Sequence, residues 1–310
     1  MRTPSTPASS TKFDIKRKSF FLSTDRIMPN LLMLFGIISI LTTAGIVAIL
    51  LAESSGFFRE ISFIDFITGT KWTPLFADPQ FGVLPLIMGT FLVTIIASII
   101  ALPIGLFSAI YLSEYAPTKL RAILKPVLEI LAGIPTIVYG FFALTFVTPL
   151  IKTFIPQLGQ FNALSAGIVV GIMIVPMISS LSEDAMMAVP RSLRDAAYAL
   201  GSTKLEVAYK VVVPAALSGI VASFVLGLSR AVGETMIVTL AAGALPNMSL
   251  NPLQSVQTLT AYIVAVSGGD TQHGSVEYLT IYAVGITLFA ITLTMNLFAR
   301  YISRKFREEY

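Results

Sequence analysis

Six long apolar runs set the pattern of this 310-residue chain. They cover Leu31–Leu51, Leu84–Leu112, Val127–Ile151, Ala163–Ser182, Ala215–Ala244 and Leu279–Ala299. Each reaches the length of about 20 residues that a helix needs to cross a bilayer. The pattern predicts an all-α, polytopic membrane protein with six transmembrane helices. The first run is longer than the roughly 7–15 residues of a cleavable signal segment, so it reads as a retained helix.

The polar positions are patterned most clearly in the connection 183–214. Leu193, Ala196, Ala197 and Leu200 recur at helical spacing, which places them on one face of a short helix. Pro190 suits its first turn and Gly201 a left-handed cap at its end. Thr203 and Glu206 have the spacing of a capping box that opens a second helix, with a stripe at Leu205, Ala208, Tyr209 and Val212. Two amphipathic helices joined at a glycine elbow form a knob, and a knob implies a socket on another protein.

Composition supports the membrane reading. Hydrophobic residues make up 55% of the chain and charged residues 12%, with a mean hydropathy of +0.82; soluble domains carry about 25% charged residues. There is no cysteine, and the lone histidine, His273, cannot build a metal site by itself. The net charge of +4 does not point to nucleic acid, because the basic residues follow topology. Six Lys and Arg lie before the first run, three between the second and third, four between the fourth and fifth, and four after the sixth. The opposite loops hold Arg59, Lys71 and Lys152. The positive-inside rule then predicts that both termini and the 183–214 knob are cytoplasmic. The expected layout is a partly disordered cytoplasmic tail at 1–30, a transmembrane domain at 31–305 and a C-terminal tail at 306–310. Residues 52–83, with Trp72 and several Phe, suggest a segment resting at the membrane interface, and 246–276 an outer polar loop.

Candidate chemistry centres on Arg230 and Glu234, inside the fifth run. An ionised group near a bilayer centre costs about 2.5–3.5 kcal/mol even on the lenient scale. The i, i+4 spacing allows an ion pair on one helical face. Either that face lines a water-filled pathway in which Arg230 attracts an anion, or the pair locks two helices together. Pro103, Pro135 and Pro176 fall within runs, where they either kink helices or free carbonyls toward a cavity. Gly133, Gly140 and Gly171 read as close-packing positions. Glu129 and Glu183, at span ends, read as structural partners of basic residues. No P-loop, nucleophile elbow or H-E-x-x-H occurs, so no catalytic residue is assigned. A transmembrane pathway with a cytoplasmic knob and no ATP site of its own points to a pump whose motor is a separate subunit.

The knob resembles the EAA loop of bacterial ABC-importer permeases: Asp195-Ala196-Ala197, then Gly201, then Val211-Val212-Val213-Pro214 at the family spacing, with Asp for Glu and Val for Ile and Leu. The resemblance implies that Asp195, Ala196, Ala197, Gly201 and Pro214 belong to a loop docked on an ATPase subunit. FGVLPLIMGT, AIYLSEYAP, KPVLEILAGIPTIVYGFF, EDAMMAVPRSLRDAAYALGSTKLEV and SRAVGETMIVTLAAG are similar to the C-type permeases of phosphate importers (PstC) over roughly residues 60–300. This likeness implies phosphate import across the bacterial inner membrane by alternating access, with Arg230 and Glu234 on the phosphate path. It also implies an A-type permease partner in a heterodimer, two ATPase copies that bind the ATP, and an external phosphate-binding protein. Permeases for molybdate or sulfate, an ion-gradient-driven carrier, and a non-transporting signalling or scaffold protein remain as alternatives.

Overall fold

A computed structural model describes residues 19–269 and 271–305. These residues are helices and loops, with one isolated antiparallel bridge between Trp72 and Phe81. The chain divides between Ile49 and Leu50 into two compact units. Helix α1, Ser19–Glu60, runs through the division. Residues 19–30, expected as tail, are therefore already helical, with Pro29 inside the helix. The tail expectations for 1–18 and 306–310 lie outside the described residues. In the first unit, none of residues 27–49 is buried.

The second unit follows with α2 (Phe63–Thr68), α3 (Leu84–Ile110, extended by a π-helical turn at Tyr111–Tyr115) and α4 (Thr118–Ala132). Then come α5 (Thr136–Phe142), a π-helical turn at Ala143–Val147, α6 (Thr148–Phe154) and α7 (Ala163–Met187). The polar connection holds α8 (Arg191–Ala199), α9 (Lys204–Glu206), a π-helical turn at Val207–Val212 and α10 (Val213–Ala215). The chain closes with α11 (Leu217–Val232), α12 (Met236–Ala241), α13 (Leu259–Ser267) and α14 (Val276–Lys305). Five helical segments are long and apolar enough to span: Ile27–Glu60, Leu84–Tyr115, Thr136–Phe154, Ala163–Met187 and Val276–Ile302. Segment α11, bent 72° from Lys204–Ala215, raises the number to six when that pair is counted as one span.

Two of the apolar runs are not continuous helices. The third breaks at Gly133-Ile134-Pro135, where Pro135 precedes α5 as its cap instead of kinking a span from inside. Proline restricts the residue before it to extended backbone, which ends α4 there. Helix α4 is amphipathic: Ile123, Val127 and Ile130 are exposed on one side, and Arg121 and Lys125 lie toward α7. The fifth run breaks at Gly233–Thr235, so α12 is a separate helix. A further correction concerns 246–276, which is not all polar loop. It contains α13, whose Leu259, Ala261, Tyr262 and Val266 are buried.

The core is the seam between α3 and α7, built from small residues. A Cβ at Gly167 would lie 2.6 Å from Ile96, and one at Gly105 2.6 Å from Ile178. Ala97, Ala101, Ala166 and Val170 fill the same cluster. Thr90 and Thr94 return their hydroxyls to carbonyls one turn back, at 2.8 Å each, so these buried polar groups are satisfied within the helix. Gly140 meets α12 and Gly171 meets α3 closely, as their reading required, whereas Gly133 touches only its own preceding turn.

The 52–83 segment has its own aromatic core. Phe57 packs edge-on against Phe58, Phe66 and Phe81 at centroid distances of 5.2, 5.5 and 5.6 Å, and Trp72 against Tyr262 at 4.9 Å. Trp72 is 1% exposed. It packs on α13 from within the fold, so its ring is covered by protein.

Candidate coupling surface and anion pathway

The knob folds largely as its sequence requires. Gly201 has φ +86°, a left-handed conformation that L side chains rarely adopt, and it turns the chain from α8 toward α9. The capping box closes: Thr203 Oγ1 accepts from the Glu206 amide at 3.3 Å, and Glu206 Oε2 accepts from the Thr203 amide at 3.0 Å. Pro190 sits at the cap position, one residue before the first turn of α8.

The two stripes divide differently from the helical-wheel reading. In α8, Ala197 is buried and Leu193 partly so, while Asp195, Ala196 and Leu200 face outward. In the second segment, Ala208 and Val212 are buried, but Leu205 and Tyr209 are 67% and 71% exposed. The π-helical turn at Val207–Val212 explains this: its wider winding shifts the faces relative to a regular helix. The result is that Leu200, Leu205 and Tyr209 are exposed on a polar loop, as is Asp195, which makes no ion pair among the described residues. Pro214 lies in the first turn of α10, exposed.

A node of charge that sequence reasoning missed sits under the knob. Arg194 donates to Glu114 Oε1 through Nε at 3.3 Å and Nη2 at 3.0 Å. Its remaining donors reach the carbonyls of Val189 at 2.6 Å and Met186 at 2.8 Å. The one sequence signal was a lone glutamate closing the second apolar run, opposite an arginine beside the Asp195 motif. Near it, Glu183 is fully buried and paired with both Arg121 and Lys125, the latter at 2.9 Å. Lys125 also binds Asp184 at 2.5 Å, and this hydrogen bond is the main cause that raises its ammonium above the ordinary lysine range. Glu183 thus has the structural partners expected of it. Glu129 is exposed and makes no ion pair among the described residues.

Arg230 and Glu234 do not form the expected one-face pair. The helix stops at Val232, so the i, i+4 geometry is absent. Glu234 is 6% exposed and accepts from the amides of Met236 at 3.1 Å and Ile237 at 3.2 Å, capping α12. Its backbone carbonyl accepts from the Thr260 hydroxyl at 2.5 Å. Arg230 stands in the last turn of α11, half-buried, with no hydrogen bond or ion pair among the described residues and its charge acting on Tyr139. Tyr139, in α5, donates to the Leu131 carbonyl at 2.9 Å across the Gly133–Pro135 break. The two interrupted runs therefore meet: α5 packs on α12, where Gly140 approaches Met236 and Leu240. Irregular backbone at membrane depth is tolerated where it is enclosed by protein or lines a water-filled cavity. Pro103 and Pro176 do lie inside helices α3 and α7. His273 rests on the Tyr278 ring at 4.4 Å, and no metal-ligating cluster occurs among the described residues.

Long apolar helices, a short polar knob and two interrupted runs make this chain a helical membrane protein. The chain belongs to the family of inner membrane components of binding-protein-dependent transport systems, which it matches over residues 101–308. It is 41% identical over 246 residues to a probable ABC transporter permease, YqgH, of Bacillus subtilis, covering 79% of each chain. It is 34% identical over 267 residues to the phosphate transport system permease PstC of Xylella fastidiosa, covering 79% of this chain and 82% of that one. Among solved structures, a permease chain of a bacterial alginate ABC transporter superposes with a TM-score of 0.63 at 16% identity, over 94% of this chain and 99% of that one. That likeness establishes the fold. Membership makes this a multi-pass inner-membrane protein whose family works with a separate ATPase and a binding protein.

Proposed function

We propose that this chain is the C-type permease subunit of an ATP-driven importer of inorganic phosphate. The observation that carries the proposal is Arg230: a half-buried guanidinium without an anionic partner among the described residues, in the last turn before the break in the fifth apolar run, with its charge acting on Tyr139 of α5. A guanidinium held this way offers forked hydrogen bonds to a tetrahedral oxyanion. The 34% identity to PstC relatives supports phosphate as that oxyanion. In this reading an A-type permease completes a heterodimer, two ATPases engage the knob, and an external phosphate-binding protein delivers the ion. The exposed Leu200, Leu205 and Tyr209, with Asp195, Ala196 and Gly201, form the ATPase-docking face. Both termini and the knob are cytoplasmic, following the distribution of Lys and Arg. ATP binding draws the knob, the helices rock between two access states, and phosphate passes near Arg230. Glu234 serves the pathway by fixing the start of α12.

The test is radiolabelled phosphate uptake by proteoliposomes. They hold this chain, its A-type partner and the ATPase, with binding protein outside and ATP inside. ATP-dependent phosphate uptake, insensitive to excess sulfate or molybdate, is expected from the unaltered complex. Arg230→Gln is expected to reduce it at least tenfold with assembly intact. Normal uptake by that variant removes Arg230 from the path, and transport of a different oxyanion overturns the substrate.

A further inference from the structure

The Arg194–Glu114 node does more than hold the knob on. We propose that it is the strut through which movement of the knob reaches the membrane helices, making Arg194 and Glu114 positioning residues for transport. The inference rests on the ATPase-docking reading of α8.

Three elements converge on one guanidinium. Arg194 belongs to α8, Glu114 to the π-helical turn that ends the α3 span, and Met186 and Val189 to the C-terminal end of α7 and the residues after it. The Arg194 side chain is 14% exposed and that of Glu114 6%. Ser113 adds a third donor to Glu114 Oε1 at 2.9 Å, and its hydroxyl also approaches the Met186 sulfur at 3.6 Å. Arginine presents its donors in a planar fork whose directions are fixed, so one side chain holds three backbones in a defined mutual geometry. Lysine would supply the charge without the fork.

The elements so tied are those that carry the rest of the fold. Helix α3 is locked to α7 by the small-residue seam at Gly105, Gly167 and Gly171. Helix α7 is tied to α11 by the buried Ser182–Ser223 hydroxyl pair at 2.6 Å and by the close approach of Gly227 to Ile178. A displacement of α8 is therefore passed to α3 and α7 at the same point, and through α7 to the helix that bears Arg230. The apolar contacts under α8 add area but little direction: Ala197 is its one buried residue. Without the guanidinium, α8 could slide on that contact while the spans stayed still.

The chain has no cysteine, so a pair of introduced ones can be labelled uniquely within it. Spin labels at Ser192→Cys on α8 and Ile104→Cys on α3, in the full complex, report whether the two helices move as one body. The distance between them is expected to stay constant when ATP is added. In the Glu114→Gln background, ATP is expected to shift it by about 1–2 Å or more, the scale of helix displacements in switching proteins. Arg194→Lys should behave likewise, and both variants should lose at least tenfold in substrate moved per ATP while still binding the ATPase. A constant distance in both variants overturns the strut, as does an ATP-driven change in the unaltered pair. Loss of assembly in both variants also overturns it and leaves the pair a purely architectural one. The distance measurement needs ATP and the ATPase but no phosphate, so failure here is separable from failure of the substrate assignment. Failure of the ATPase to bind the unaltered chain would instead refute the docking reading.

Discussion

A guanidinium and a carboxylate four residues apart in an apolar stretch would ordinarily neutralise each other, but Arg230 and Glu234 are each balanced by a helix end. Arg230 occupies the last turn of α11 and Glu234 caps α12. A favourable terminal charge is worth about 0.3–1 kcal/mol, and up to about 2 when partly buried. The consequence for substitution is specific. Glu234→Gln keeps a side-chain oxygen for the two amides and should keep most of the stability. Glu234→Ala should lose about 1–2 kcal/mol, the usual cost of a deleted cap. Thermal inactivation in detergent separates them, and equal loss in both would favour an ion-pair role for the charge. Glu183 is the opposite case, since its partners are side chains. Glu183→Ala leaves Arg121 without its carboxylate partner and Lys125 with Asp184. The loss should fall below the roughly 3–5 kcal/mol of a fully buried pair, because both cations keep some access to solvent. The same thermal assay checks it.

At the level of elements, the knob stands on one dihedral angle. Gly201→Val places a branched side chain at φ +86°, where there is free space around the Cβ but the backbone itself is strained. ATPase co-purification should fall while membrane insertion is unchanged; undiminished co-purification would count against docking. On the α3–α7 seam the obstacle is space: Gly167→Val meets Ile96 and should destabilise by about 1–3 kcal/mol through overpacking. The spans were legible in the sequence because a run of some 20 apolar residues has few soluble explanations. Their interruptions were not, because Gly133-Ile134-Pro135 and Gly233-Glu234-Thr235 barely lower the hydrophobicity of the runs that contain them. Helix α13 was missed for the converse reason: at nine residues it is too short to read as a span, although Thr258 caps it as expected of a helix start. The capping box and glycine elbow were legible since both depend on neighbours in sequence. The outward turn of Leu205 and Tyr209 was not, because a π-helical turn leaves no mark on a 3.6-residue wheel. The Arg194–Glu114 bond joins residues 80 positions apart, beyond what local patterns express.

For the whole molecule, the proposed orientation rests on the asymmetry of charge. The cysteine-free background makes this testable with a membrane-impermeant thiol reagent on intact cells. His273→Cys, in the segment opposite the basic loops, should be labelled, and Ser202→Cys, at the elbow, should be protected until the membrane is opened. The reverse pattern would invert the topology and with it the assignment of the knob to an ATPase. Both residues lie in connections outside the five long spans, so neither substitution disturbs a packed helix.

The π-helical turns carry one more implication, for the lengths this fold can tolerate. Such a turn accommodates one surplus residue while the helix on either side keeps its facing. Removing the exposed Thr145 from Ala143–Val147 should therefore restore regular winding and leave Tyr139 and Ile151 pointing as before. Removing one residue from the middle of α7 would instead rotate half of that helix by about 100°, turning its small-residue face away from α3. Single-residue gaps between relatives should accordingly gather at 111–115, 143–147 and 207–212, the places where a change of length costs the fold least.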